Sequence, residues 1–491
     1  MDFFDVLQSA FGLFATWQNV LVLGVGVVIG TFVGAIPGMT TPMAVALTLP
    51  FTFTLHPVTG ILLLLGVYKG GIYGGSITAI LINAPGTPAA SCTVLDGYPL
   101  AKRGEARRAL DIALYASCVA DFISNISLIL FAGVLASFAL AFGSPEVFTL
   151  IMFSLTIIAG VSGNQLLKGL GSAGLGLLLA TIGLDLVYGT NRFVFGDVNL
   201  MSGLNFIPVL IGLFALPEII AYYGRREVAR VHNPLAGVGA TFADFRRCLK
   251  TIIRGSFIGV ILGAIPGIGG APAAFLSYSE AKRTSRTPEK FGTGEIEGVA
   301  AAESGNNGVA GATMIPLLAL GIPGDIITAI ILGAFMIHGL RPGPLLFQDS
   351  LPLIYALFIG IMLSSIYLLI VGKISIRLIS RVADIPHRLL FPVVLVLCVF
   401  GAYAVNNTIF DVIVMFIMGG VGFAMLRLKI PAAPFLIAFI LGPLLEDNFR
   451  QSLLLSRGDW SIFFSSTICW VFWGLTALVV GFTVWSNVKR A

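Results

Sequence analysis

The residues with the clearest chemical potential belong to a segment that occurs twice. The five residues Gly-Ala-Ile-Pro-Gly stand at Gly34–Gly38 and again at Gly263–Gly267, each time after an apolar stretch. Proline removes an amide donor and clashes with the preceding helical turn, so each copy predicts a broken helix. A helix that restarts after a break exposes amide N–H groups, equivalent to about half a positive charge, and glycine lets a ligand approach them closely. Both copies therefore predict binding of an anion.

A second proline-glycine break follows each copy. Asn83–Gly86 reads Asn-Ala-Pro-Gly, and Gly321–Gly324 reads Gly-Ile-Pro-Gly. Two matches in the same order indicate an internal repeat. We therefore divide the chain into a first membrane repeat at residues 1–224, a basic cytoplasmic linker at 225–254 and a second membrane repeat at 255–491.

The breaks are expected to surround a substrate with amide donors and with neighbouring hydroxyl, amide and ammonium groups. The candidate substrate-binding residues are Gly38, Thr40, Thr41, Lys69, Asn83, Gly86, Thr87, Gly267, Gly269, Gly270, Ser304, Asn306, Asn307 and Gly324. Carbonyl oxygens freed before each proline, together with two acids, can hold a coupling ion; Na⁺, the only metal ion suggested, prefers oxygen ligands. The candidate ion-coupling residues are Pro37, Pro85, Pro266, Glu303, Pro323 and Asp325. The alternative is that the glycines and prolines only permit close helix packing or kinks.

Several of these groups have alternatives of their own. Lys69 lies in an apolar stretch, where a charge is costly and is usually retained for a ligand or a partner, so it either faces the substrate or pairs with an acid such as Asp121. Residues 303–307, Glu-Ser-Gly-Asn-Asn, form either part of the site or a solvated inner loop with a helix cap. Asp325 either caps the helix after its break or binds the coupling ion.

A polar stripe is predicted on a long helix at residues 109–141. Ser117, Asp121 and Asn125 follow one another at a spacing of four and therefore share one helix face. Interhelical hydrogen bonding is favoured for this stripe over a proton or ion relay.

The elements that must position these residues are membrane helices. Hydrophobic residues make up 57% of the 491 positions and charged residues only 11%, which would leave a soluble surface under-solvated. Apolar runs of bilayer-spanning length recur along the chain, with glycines and prolines inside them and no strand-like alternation. We predict an all-α polytopic membrane protein with about ten to twelve transmembrane helices, some of them broken or re-entrant. The net charge of +5 is a topology marker in such a protein and does not imply nucleic acid.

Basic loops set the expected orientation. Lysine and arginine cluster at residues 102–108, 225–254, 282–290, 373–388, 427–429 and 489–490. The positive-inside rule places these loops in the cytoplasm. Residues 255–281 are too short for two crossings yet have basic loops at both ends, so they predict a re-entrant hairpin broken at Pro266 and Gly267. The first hairpin then opens outward and the second inward, which is inverted-repeat topology with a binding site near the membrane midplane.

The chain resembles the large membrane subunit of the tripartite tricarboxylate transporters, a bacterial family. The resemblance covers nearly the whole chain and is carried by the two Gly-Ala-Ile-Pro-Gly segments and by Tyr68–Ser76, Asn83–Pro88, Asp96–Pro99, Glu303–Asn307, Leu320–Gly324 and Gly442–Glu446. It implies a multi-pass protein of the bacterial inner membrane that takes up di- or tricarboxylates together with a small membrane subunit and a periplasmic solute-binding protein. It also implies coupling to a gradient of Na⁺ or H⁺, with no other cofactor.

Two other functions fit the sequence less well. An ion or anion channel needs a continuous polar path through the membrane. A membrane-embedded enzyme lacks support because the four histidines lie far apart in the sequence, without a metal-binding or nucleotide-binding motif. We expect no enzymatic activity, and alternating access by an elevator-like motion, with rocking as the alternative.

Overall fold

A computed structural model describes residues 3–161, 166–185, 189–222, 238–382 and 387–488. These residues are almost entirely helical, which confirms the all-α class. The helices are α1 (Phe3–Phe14), α2 (Trp17–Gly34), α3 (Thr41–Thr48), α4 (Pro57–Ile82), α5 (Ala90–Lys102), α6 (Ala106–Ala139), α7 (Ser144–Val161), α8 (Leu166–Ala180), α9 (Phe206–Tyr222), α10 (Phe242–Gly263), α11 (Gly270–Thr284), α12 (Ile296–Ala312), α13 (Met314–Leu320), α14 (Ile326–Ile337), α15 (Leu346–Asp349), α16 (Leu351–Val382), α17 (His387–Asn406), α18 (Ile409–Arg427), α19 (Ala432–Leu455) and α20 (Thr467–Val488). Two short strands, β1 (Gly183–Leu184) and β2 (Asn191–Arg192), pair antiparallel with Gly183 opposite Arg192.

The helices have the length and composition of a multi-pass membrane protein. Within the described part of the chain, six are long and apolar enough to cross a bilayer: α2, α4, α6, α16, α18 and α19. Several shorter apolar helices accompany them, among them α3 and α14, which directly follow proline-glycine breaks. Broken helices thus stand beside full-length spans, as the sequence predicts.

The chain forms two compact units, each built from two separate stretches. The first unit contains Met1–Leu135 and Glu218–Gly401, and the second contains Ala136–Pro217 and Ala402–Ala491. All four breaks belong to the first unit. Each unit draws one stretch from the earlier and one from the later part of the chain. The division at the basic segment 225–254 into two membrane repeats stays a prediction.

Glycines allow close packing in the first unit. Gly26, Gly30 and Gly34 lie four residues apart on α2 and face α4, where a Cβ on Gly30 would approach the Val67 carbonyl oxygen to 2.2 Å. The same spacing recurs on α10 with Gly255, Gly259 and Gly263, which face α12. The packing alternative is therefore correct for the first glycine of each Gly-Ala-Ile-Pro-Gly segment.

The last glycine of each segment has a different role, because it turns the chain. Gly38 and Gly267 both adopt φ 86°, a left-handed conformation that glycine tolerates and other residues rarely adopt. After the turn, α3 and α11 begin, so α10 and α11 form the helical hairpin expected over residues 255–281. Its re-entrant course in a membrane stays a prediction.

A helix cap stabilises the start of α10, which lies in the described part of the basic segment. Of the loops that the sequence predicts to be cytoplasmic, residues 225–237, 383–386 and 489–490 lie outside the described residues. From Phe242 onward the segment is helical, and Thr241 and Asp244 form a reciprocal capping box at the start of α10. Arg108 donates to both carboxylate oxygens of Asp244, at 3.1 and 2.5 Å, and this hydrogen bonding lowers the pKa of that carboxyl to about 2.

The second unit is held by aromatic packing and ion pairs. Phe449 and Phe463 stack with ring centroids 5.5 Å apart. Arg192 donates to Glu446 at 2.6 Å, and Arg450 donates to Asp185 at 2.9 Å. These pairs hold Asp185 and Arg192, at the two short strands, against α19 through opposite charges.

Candidate functional site

The two breaks of the first stretch lie against each other. The Gly86 amide donates to the Gly75 carbonyl oxygen at 3.3 Å, and a Cβ on Gly86 would meet the Gly34 carbonyl oxygen at 2.7 Å. The sequence brings them together because α4 packs on α2 through glycine, so the end of α4 returns to the end of α2.

The two breaks of the second stretch meet in the same way. The Gly267 amide donates to the Gly324 carbonyl oxygen at 2.8 Å. A Cβ on Gly269 would lie 3.7 Å from the Cβ of Asp325. The starts of α11 and α14 are therefore adjacent.

Contacts between α4 and the second stretch gather all four breaks into one region. The Tyr68 hydroxyl donates to the Asp325 carboxylate at 3.0 Å and lies 3.2 Å from the Thr313 hydroxyl. A Cβ on Gly270 would lie 3.5 Å from the side chain of Ala89, which follows the second break. We name the four segments Gly34–Gly38, Asn83–Gly86, Gly263–Gly267 and Gly321–Gly324 the break cluster.

The helices that restart at the break cluster differ in their N-terminal caps. Thr40 caps α3 by accepting from the Met43 amide at 3.4 Å, and Thr87 accepts from the Ala90 amide at 3.1 Å. Asp325 caps α14 by accepting from the Thr328 amide at 2.7 Å. The α11 cap is Gly269, with φ 67°, and glycine has no side chain that could bind the first amides of that helix. These amides face the break cluster without a side-chain acceptor.

Polar side chains near these starts are buried with atoms that have no partner among the described residues. Asn306 is 3% exposed, and its amide nitrogen makes no hydrogen bond within the part of the chain that the structure describes. Its amide oxygen lies 2.6 Å from where a Cβ on Gly270 would stand, so the side chain abuts the start of α11. The hydroxyl of buried Thr41, at the start of α3, is likewise without a partner there. Buried polar groups are rarely left unbound, so these atoms are suited to a ligand.

Residues 303–307 are fully buried within α12, which makes the alternative of a solvated loop wrong. Glu303 accepts from the hydroxyl of Thr93, from Ser117 at 3.0 Å and from the Asn307 amide at 3.3 Å. Asn307 also donates to Ser117 at 2.9 Å. Glu303 is thus held by neutral side chains from three helices.

Lys69 forms a buried ion pair with Asp121, the partner that the sequence suggested. Its ammonium group also donates to Asn125 at 2.7 Å, and Asp121 accepts from Ser365 at 2.6 Å. The polar stripe on α6 therefore faces protein, and interhelical hydrogen bonding is confirmed for it. Assignment of Lys69 to substrate binding stays a prediction.

The remaining predicted residues are placed as follows. Ser304 donates to the Ala301 carbonyl oxygen at 3.3 Å and lies against Gly255 of α10. Asn83 ends α4 with φ 57°, and its backbone amide bonds to Thr78. Pro37, Pro85, Pro266 and Pro323 all lie in the break cluster, and their role in ion coupling stays a prediction.

Known proteins identify the family. The family described as "Tripartite tricarboxylate transporter TctA family" matches residues 20–437. The chain belongs to this family. It is similar to a protein of Agrobacterium vitis described as an uncharacterized 52.8 kDa protein in the TAR-I ttuC' 3' region, with 40% identity over 473 residues that cover 95% of this chain and 93% of the relative. A second Agrobacterium vitis protein, described as an uncharacterized protein in the TAR-II ttuC' 3' region, is 38% identical over 222 residues, 45% of this chain and 92% of the relative. No solved structure matches the chain significantly.

Membership of the TctA family makes the chain a membrane component of a tripartite tricarboxylate transporter, one of several partner subunits. The matched region includes the whole break cluster. The break cluster therefore belongs to a transport protein. Its candidate site consists of the first amides of α11 and of the neighbouring buried side-chain atoms that have no hydrogen-bond partner among the described residues.

Sequence reasoning missed three residues that organise the site. Tyr68 and Thr93 donate to the two candidate coupling acids. Asp96 accepts from the amides of Gly292, Gly294 and Glu295 at 2.7 to 2.9 Å, and so holds the loop before α12. The signal was present for Asp96, because the Asp-Gly-Tyr-Pro segment carries the family resemblance, but its partner loop lies about 200 residues away along the chain.

Proposed function

We propose that this chain is the permease subunit that moves an organic di- or tricarboxylate into the cell across a bacterial inner membrane, driven by a gradient of Na⁺ or H⁺. The observation that supports this most directly is the start of α11. Its first amides have no side-chain cap, and the buried amide of Asn306 beside them has no partner among the described residues. A carboxylate is an acceptor-only group that matches such a set of donors.

A carboxylate at this position depends on amide dipoles more than on full positive charges. Lys69 is already neutralised by Asp121, so it offers little net charge to a substrate. A helix N-terminus supplies a fixed partial positive charge that costs no reorganisation when the anion arrives. Thr41 and Thr87 lie at the matching starts of the first stretch and are positioned to bind a second carboxylate group of the same substrate.

The family's partners complete the proposal. A small membrane subunit and a periplasmic solute-binding protein would deliver the substrate, and the bilayer would surround the apolar helices. The first unit contains all four breaks in one compact body, which supports an elevator-like displacement of that unit as the transport motion. The carbonyl groups before each break proline, Glu303 and Asp325 are the candidates for ion coupling.

Uptake of radiolabelled citrate and succinate into proteoliposomes tests the proposal. The full chain is reconstituted with its small subunit, and the solute-binding protein is added outside. We expect Asn306→Ala to raise the KM by about 10-fold or more, because a hydrogen bond to a charged ligand contributes about 1.5–3 kcal/mol. The matched control is Asn448→Ala on α19, a partly exposed asparagine that bonds only locally to the Leu444 carbonyl oxygen.

The stability readout separates a binding role from a structural one. Because the Asn306 amide nitrogen has no partner among the described residues, Asn306→Ala should leave the thermal unfolding temperature nearly unchanged. Unchanged KM in a folded variant would remove the site at α11. Uptake that never saturates and never exceeds the external concentration would instead favour a channel.

A further inference from the structure

The buried acids of the first unit differ in what balances their charge. Three are paired with a basic side chain: Asp111 with Lys373, Asp121 with Lys69, and Glu295 with Arg247. Asp96 is bound by three backbone amides of one loop. Each of these carboxylates therefore has a basic side chain or backbone amides as its partner.

Asp325 accepts hydrogen bonds from groups that favour its anion. It caps α14, so it lies at the positive end of a helix dipole and accepts from the Thr328 amide. The Tyr68 hydroxyl donates to its other oxygen at 3.0 Å.

Glu303 has no basic side chain and no backbone amide as a hydrogen-bond partner of its carboxylate among the described residues, and its contacts are with neutral side chains instead. It lies within α12 and is 0% exposed. Among the described residues its hydrogen bonds come from Thr93, Ser117 and Asn307, all of them neutral. An ionised carboxylate buried without an opposite charge is costly, and such a group is neutralised by taking up a positive charge.

We propose that Glu303 is the carboxyl group that binds and releases the coupling proton of this transporter. This inference rests on the proposed transport function and deepens it. One oxygen of the Glu303 carboxylate takes a proton from water on one side of the membrane, and the neutral acid returns that proton to water on the other side as the substrate is released.

The surroundings of Glu303 suit a proton better than Na⁺. The hydroxyls of Thr93 and Ser117 can rotate to accept from the protonated acid as readily as they donate to the ionised one. Asn307 turns its amide nitrogen toward both Glu303 and Ser117, and an N–H donor cannot be a ligand for a cation. A proton needs no further oxygen ligands and no cavity.

Other titratable groups lie on the helices that contact α12 or bond to Glu303. These groups are Lys69, Tyr73, Cys92, Asp96, Cys118, Asp121 and Tyr278. Asp96 and Asp121 have the partners described above, and Tyr278 donates to Asp96 at 2.8 Å. The tyrosine and cysteine groups are neutral when protonated, so they add no positive charge that could balance Glu303.

Substrate-independent infrared spectroscopy tests the protonation itself. The full chain in lipid nanodiscs is titrated with acid, and the C=O stretch of a protonated carboxylic acid is followed. We expect a band that Glu303→Gln removes and that Glu297→Gln keeps. Glu297 is the matched control because it lies on the same helix, is partly exposed and pairs with Arg247.

Transport measurements test the coupling. In proteoliposomes of the complete transporter, Glu303→Gln should lose at least about 10-fold in citrate accumulation driven by a pH gradient, while citrate exchange at equal concentrations changes less than about 3-fold. Glu297→Gln should keep both activities. Glutamine preserves the volume of Glu303, and an unchanged unfolding temperature confirms that the variant is folded.

The possible negative results distinguish failure of the Glu303 assignment from failure of the proposed transport function. Persistence of the acid band in Glu303→Gln, or accumulation driven by Na⁺ alone in the unmodified transporter, would overturn the assignment of the proton to Glu303. Loss of coupling in Asp325→Asn with normal coupling in Glu303→Gln would do the same. Absence of any citrate or succinate transport by the unmodified complex, with the acid band intact, would instead contradict the proposed function.

Discussion

Replacing Lys69 separates a structural role of this residue from a substrate-binding role. The Lys69 and Asp121 side chains are both 1% exposed and form an ion pair. Lys69→Met fills the same space but leaves Asp121 as an uncompensated buried charge. Breaking a buried pair from one side costs about 3–5 kcal/mol. Asp121 keeps hydrogen bonds from Ser365 and Asn125, so we expect a loss near the lower end, about 3 kcal/mol.

The second substitution, Asp121→Asn, removes the charge that Lys69→Met leaves behind. The double variant should therefore recover most of the lost stability, with a coupling energy of about 2 kcal/mol or more between the two sites. Unfolding is followed by tryptophan fluorescence as SDS is titrated into the detergent-solubilised protein. Lys168→Met is the matched control, because this exposed lysine contacts only a carbonyl oxygen and should change stability by less than about 0.5 kcal/mol.

Citrate uptake by the same variants completes the test. If Lys69 stabilises the first unit through Asp121, the double variant should bind citrate with a KM within a few-fold of the unmodified protein. If the double variant regains stability but not citrate affinity, Lys69 contacts the substrate and the structural explanation is refuted. Equal stability of Lys69→Met and the unmodified protein would refute the argument at its first step.

Further predictions concern the packing of α2 on α4, the loop before α12, and the ion pair between Arg108 and Asp244. Gly30→Ala should prevent close packing of α2 on α4 and lower the yield of folded protein, because the new Cβ would meet a carbonyl oxygen at 2.2 Å. Gly420→Ala is the control and should leave the yield unchanged, because the space around Gly420 is open. Asp96→Ala should cost roughly 3 kcal/mol and speed amide hydrogen exchange at Gly292, Gly294 and Glu295, because it leaves the amides of these residues without their acceptor; unchanged exchange would contradict the capping role. The folded-state pKa of Asp244 is below its ordinary value, so its stabilising effect, about 1–2 kcal/mol, is present above pH 3.8 and is lost as the pH falls toward about 2. Arg108→Gln should reduce that dependence in acid-unfolding curves, while the hydrogen bonds from Thr241 keep part of it.

The sequence predicted the parts of the site better than their contacts. The breaks, the all-α class and the polar stripe on α6 follow from local chemistry, since proline interrupts helices and residues four apart share a face. The partner of Glu303 does not follow, because Thr93 is 210 residues away and many hydroxyls lie at similar helix depths. The local sequence also does not show which glycines pack and which turn the chain. Gly34 packs against α4 while Gly38 turns the chain, and only the tertiary fold distinguishes these roles.

The caps at the break cluster explain why an anion and a positive charge should move together. Thr40 and Gly269 both stand two residues after a Gly-Ala-Ile-Pro-Gly segment, and Thr87 and Asp325 both stand one residue after the second break. In the first stretch both residues bind helix amides through neutral hydroxyls, whereas in the second stretch Gly269 has no side chain to do so and Asp325 does so with a carboxylate.

The missing cap gives an anion its donors, while the neighbouring carboxylate repels it, because a Cβ on Gly269 would lie 3.7 Å from the Cβ of Asp325. The charged side chains described near the break cluster are one positive, Lys69, and three negative, Asp121, Glu303 and Asp325. A bound carboxylate would increase this excess of negative charge in a medium of low dielectric constant, where such repulsion is strong. Binding of the substrate should therefore favour simultaneous uptake of a positive charge, which is the physical requirement for symport.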